Sequence, residues 1–144
     1  MDGNPDNIQL INELDLSKTD AWEELRSVAE GMTDEDRNVA WSNGGNEQAL
    51  KYPVYSERIN KATSLLYTVG AITPLYNWRS NGLPDYSSDT ELSVADAIQA
   101  ATYIVRSERF GDGAIAKAVE IGLFDSILHS LIKWYDEKRK SLDA

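Results

Sequence analysis

From Phe124 to about Arg139, apolar residues recur at Phe124, Ile127, Leu128, Leu131, Trp134 and Tyr135. That is the i, i+3, i+4, i+7 spacing of one face of an α-helix. A lone helix cannot keep such a stripe out of water, so the chain must supply other apolar faces to cover it. It does. Val94, Ile98, Ala101 and Val105 mark a helix running to about Arg109, with Ser93 and Asp96 as its cap. Ile115 and Val119 face inward from a two-turn helix over 114–121, bounded by Gly111-Asp112-Gly113 and Gly122. Ile59, Ala62, Leu65, Leu66 and Val69 form a stripe within 55–69, capped by Ser56 and ended by Gly70. Trp22, Leu25, Ala29 and Met32 share a face within 20–32, where Asp20 and Glu23 have capping-box spacing. Thr33 and Asp36 repeat that spacing and open a short helix from Asp34 to about Ala40.

The rest of the chain is less regular. Ile8, Ile11 and Leu14 after Pro5 suit a short helix or an extended arm. Ser42-Asn43-Gly44-Gly45-Asn46 reads as a turn, with a small hairpin around it. Residues 71–78 contain Pro74 and read as extended, and the polar stretch 79–90 reads as a surface loop. The expected fold class is all-α (mainly helical): a compact single-domain helical bundle with one small β-hairpin. Its 144 residues suit one domain over 1–144, with an acidic helical part at 1–40 and a helical core at 41–140.

Composition removes several chemistries. Zero cysteines exclude disulfides, a thiol nucleophile and thiolate metal sites. The single histidine, His129, excludes a two-histidine zinc site within one chain. Neither a nucleophile-elbow motif nor a phosphate-binding glycine loop occurs. No apolar run approaches the ~18 residues of a membrane span. The first ten residues, MDGNPDNIQL, have no basic or apolar signal character. A cytoplasmic protein without cofactor or metal is expected.

Charge is unevenly placed. Residues 1–50 hold 12 acids and 3 bases, whereas residues 101–144 hold 7 of each. The formal net charge is -10. Direct binding to nucleic acid needs clustered Lys and Arg, and the excess here has the opposite sign. An acidic face attracts basic surfaces, including those that handle nucleic acids. The competing reading is solvation, together with acids that favourably oppose the macrodipole at helix starts. Asp34-Glu35-Asp36 is contiguous on a helix and fans out, so it cannot converge on one ion. His129, with Asp125 and Lys133 one turn away on either side, reads as a surface histidine. Arg106 and Arg109 share a helix face and could clamp an anion with Trp78 nearby, or tie into Asp96 or Asp112.

Several clusters together resemble an uncharacterised bacterial and phage family, the domain of unknown function numbered 6508. They are Trp41 with Gly44; Tyr52-Pro53-Val54-Tyr55-Ser56; Leu66-Tyr67 with Gly70; Tyr76-Asn77-Trp78; and Arg106-Ser107-Glu108-Arg109-Phe110 with Gly113, Gly122 and Ile127. They span residues 41 to about 132, and the first 40 residues match poorly. The family pattern often has aspartate at the position of Asn77 and a further aromatic after Trp78, and this chain departs at both. The resemblance implies a mostly helical fold and carries no established activity. It also implies the setting of mobile elements, where inhibitor and accessory roles are common.

The expected function is a non-enzymatic acidic interaction protein. Glu23, Glu24, Asp34, Glu35 and Asp36 would meet a basic, nucleic-acid-handling surface, with Trp41 and Tyr55 as anchors. An anti-CRISPR-like phage inhibitor of a defence complex is the concrete version, without direct nucleic-acid or membrane contact. The alternative is a small-ligand or catalytic module with an anion pocket at Trp78, Arg106 and Arg109. A homo-oligomer is a third reading, signalled by an exposed apolar stripe on the last helix.

Overall fold

A computed structural model describes residues 7–42, 45, 52–84, 91–108 and 113–143. Among these, eight helices and one two-stranded antiparallel hairpin build a single layered core. The helices are α1 (Asn7–Ile11), α2 (Thr19–Gly31), α3 (Asp34–Arg37), α4 (Glu57–Thr68), α5 (Trp78–Asn81), α6 (Val94–Glu108), α7 (Ala114–Glu120) and α8 (Leu123–Asp143). The hairpin pairs β1 (Ala40–Ser42) with β2 (Tyr52–Val54), Trp41 opposing Pro53. The mainly helical fold is as expected.

The centre is α6. Its small inward residues, Ala97, Ala100 and Ala101, let neighbouring backbones approach, and α1, α5, α7 and α8 pack around it. Phe124, Ile127, Leu128 and Leu131 of α8 are fully buried, as the stripe requires. On the other side, α2 packs against α4 and α8. Trp22 lies within this layer, stacked on Tyr135 at 4.9 Å between ring centroids and beside Trp134. The Trp22 indole N–H donates to Asp15 O at 2.9 Å, so its one polar atom is satisfied in the core.

Local signals succeeded where a side chain closes its own helix. Ser56 accepts the Ile59 N–H, Ser93 accepts the Asp96 N–H, and Thr33 with Asp36 forms a complete capping box. Other expectations fail for identifiable reasons. Asp20 caps nothing: the cap position is Lys18, two residues earlier, so α2 begins at Thr19 and Asp20 sits inside its first turn. The buried α2 face is Trp22, Leu25, Val28 and Met32, with Ala29 at the edge. In α1 the buried residue is Leu10, while Ile8 is 67% exposed. The helix at Asp34 stops at Arg37 because Ala40 joins the hairpin. The stretch 79–90 is not wholly loop: Asn77 accepts the Ser80 N–H and starts α5. The Asn43-Gly44 turn itself lies outside the described residues.

Candidate functional site

The acidic edge is built by α2, α3 and the start of α4. Burial of Trp22, Leu25 and Val28 turns Glu23, Glu24 and Glu30 outward on α2. Two and three residues beyond Met32, Asp34 and Glu35 stand exposed in the first turn of α3. The Asp34 side chain has no cover at all. Asp36 does the opposite. It is buried at 8% exposure and accepts from the Thr33 N–H at 2.9 Å, the Thr33 hydroxyl at 3.0 Å and Arg58 Nη1 at 3.1 Å. The Thr33 N–H, joined by the Ser56 and Thr33 side chains and Arg58, holds the Asp36 carboxyl down to about 2.

Cations of the same helices and of α4 pair with these acids. Glu23 pairs with Arg26, Glu24 with Lys61, and Asp34 with Arg37. The sequence showed the acids as one block. It did not show that α4 would bring Arg58 and Lys61 against them. Of the five acids singled out, Glu23, Glu24, Asp34 and Glu35 are exposed, Glu23 on the α8 side of α2 and Glu24 on the α4 side, and Asp36 is buried.

The two aromatic anchors part company. Trp41 is 47% exposed on β1, and Tyr52 and Val54 of β2 are equally exposed. The Trp41 ring lies over Gly113, where a Cβ would come within 2.5 Å of its edge. Arg37, Val39, Trp41, Ala116 and Lys117 border a cleft of about 470 Å³ beneath the hairpin. Tyr55 instead turns inward. Its hydroxyl donates to Glu108 Oε1 at 2.5 Å and accepts the Ala116 N–H at 3.0 Å, while Glu108 Oε1 also accepts the Ile115 N–H at 2.8 Å. Together they close the start of α7, whose own cap position is Gly113.

Of the anion-pocket residues, Trp78 and Arg106 lie among the described residues. Trp78 packs edge-on against Tyr103 at 6.0 Å, and the cation over its ring is Arg79, at 5.3 Å, rather than Arg106. Arg106 is half-buried near the end of α6. Arg109 lies outside the described residues, as does Asp112.

A feature missed by the motif search is a groove of about 970 Å³ between α2 and α8. Arg26 binds Asp136 through both terminal nitrogens, and Arg37 binds Asp125 through Nε at 3.0 Å and Nη2 at 3.3 Å. The Arg26 guanidinium keeps the Asp136 carboxyl below its usual range. Between these two bridges, exposed His129 lies above half-buried Ala29 and Ile132. The signal was available as the polar ladder Asp125, His129, Lys133, Glu137 at four-residue spacing on the side of α8 away from its apolar stripe. Among the described residues, no group of three acidic or histidine side chains is placed to hold a metal. No described helix is long and apolar enough to cross a membrane.

The model of a family of unknown function, DUF6508, matches residues 17–137. The match takes in α2 and α3, which the motif resemblance had left outside. No curated protein and no solved structure matches the chain.

Proposed function

The chain belongs to the DUF6508 family, and for this member we propose a non-enzymatic interaction module that docks its α2–α3 edge on a basic surface of a partner protein. The observation that carries this reading is the mounting of Asp34 and Glu35. They stand exposed on a four-residue helix whose base is fixed by the Thr33–Asp36 box, with Asp36 buried, and by the Arg37–Asp125 bridge. Acids held on a rigid mount lose little conformational freedom on binding.

Glu23 and Glu24 extend the edge. Their bridges to Arg26 and Lys61 are solvent-exposed, and such pairs contribute only about 0–1 kcal/mol. They can therefore exchange for a partner's cations at little cost. Trp41 on one face of the hairpin, and Tyr52 and Val54 on the other, add exposed apolar side chains, and aromatic anchors of this kind dominate binding energy at interfaces.

The partner class that fits presents Lys and Arg otherwise used to hold phosphates, as in a nucleic-acid-handling complex of the cytoplasm. An inhibitor of a nucleic-acid-targeting defence complex is the concrete case. The mechanism is occlusion: carboxylates sit where phosphates would, and long-range attraction speeds the encounter. The test is competition. A partner captured from source cells is bound to labelled duplex DNA or RNA, and the protein is added. The wild type should displace the nucleic acid, and a variant with Glu23, Glu24, Asp34 and Glu35 changed to Lys should not. Equal displacement by both proteins contradicts the reading.

A further inference from the structure

The α2–α8 groove invites a different occupant, for reasons independent of the acidic edge. Its α8 wall presents, in order, Asp125, His129, Ile132, Lys133, Asp136, Glu137, Arg139 and Lys140. Asp125 to Lys140 spans about 22 Å at 1.5 Å per residue. Charges of both signs occur along it, with Asp125 at one end and Arg139 and Lys140 at the other, so a partner of one sign would meet like charges at one end. The same face turned end for end meets opposite charges at both ends, with Ile132 and Lys133 of each copy beside the axis. An antiparallel crossing at Ile132 and Lys133 sets Asp125 against Lys140 and His129 against Asp136, and a two-fold axis makes each contact twice.

We propose that this groove is a self-association face, occupied by α8 of a second copy of the chain, with Ile132 at the two-fold axis and reciprocal Asp125–Lys140 pairs at the ends. The Arg37 and Arg26 bridges leave Asp125 and Asp136 able to accept a second cation, because an ionised carboxylate offers about four acceptor sites. One helix face per subunit gives an interface below about 1,200 Å², the size of weak and transient complexes.

Sedimentation equilibrium across the micromolar range tests it. The wild type should move from 16.1 kDa toward twice that mass as concentration rises. Ile132→Glu and Lys140→Glu should each stay at the lower mass with unchanged helical circular dichroism. Asp125→Lys should also associate less than the wild type. Mixing the Lys140→Glu and Asp125→Lys proteins should restore association, because the mixed pair has opposite charges at both ends. A wild type that stays monomeric throughout, or a dimer indifferent to Ile132→Glu and Lys140→Glu, overturns the proposal. So does failure of the mixture to associate more than either variant alone.

Discussion

The Tyr55 hydroxyl and Glu108 Oε1 lie 2.5 Å apart, and each accepts one of the first free N–H groups of α7. A helix start leaves four N–H groups without intrahelical partners. Gly113 has no side chain to supply one, so the chain borrows oxygens from β2's exit and the end of α6. Tyr55→Phe removes an acceptor from Ala116 and a donor to Glu108. It should lower unfolding free energy by about 1–2 kcal/mol, read by urea denaturation. A change within error would show that water replaces the hydroxyl without loss.

Gly70 has φ +91°, and a Cβ there would lie 2.0 Å from Glu13 O. The clash is with backbone that is itself pinned, since the Asp15 N–H donates to Val69 O at 2.9 Å. Gly70→Ala should therefore cost more than about 2 kcal/mol, beyond the usual range for a surface substitution. Chemical denaturation checks this, with Gly45→Ala as a control at a positive φ in open space.

Acid stability should depend on Asp36. Its carboxyl is held at about 2 against an ordinary 3.8. A group lowered in the folded state contributes fully above its unfolded value, and loses that contribution as pH falls through the folded one. Wild-type stability should drop between about pH 4 and pH 2 on this account. Asp36→Asn should be less stable at neutral pH, with a shallower loss over the same window. Thermal melts from pH 7 to pH 2 give both slopes, and parallel curves would exclude Asp36 as the source.

Trp41 offers a separable test of the hairpin. Gly113→Ala places a Cβ within 2.5 Å of the ring at φ +78°. It should shift tryptophan fluorescence and destabilise by about 1–3 kcal/mol. Trp41→Ala should relieve the steric part of that penalty, so the double variant should cost less than the sum of the singles. Strict additivity would mean that ring and glycine do not touch in solution.

What could be read from the sequence divides by distance along the chain. Periodicity located α4, α6, α7 and α8, and the Thr33–Asp36 and Ser56 caps, because each depends on residues within about two turns. The fate of Asp36 was not legible. Its cap contact with Thr33 is local, but its partner Arg58 lies 22 residues away, and the sequence does not separate it from its exposed neighbours. Tyr55 was misjudged similarly, since its partners lie 53 and 61 residues on. The bridges bounding the α2–α8 groove join residues 110 and 88 apart, so only packing discloses that His129 overlooks a groove. The acidic block was visible in full, but the cations that α4 brings against it were not.

The central claim concerns the acidic edge, and the direct measurement is the dissociation constant for the captured partner at two ionic strengths. The wild type is compared with the protein carrying Lys at Glu23, Glu24, Asp34 and Glu35, with Asp36 left in place to keep the fold. The account predicts at least a tenfold weakening at low salt, about 1.4 kcal/mol, and a flatter salt dependence in the variant. An unchanged constant with the same salt dependence would contradict it.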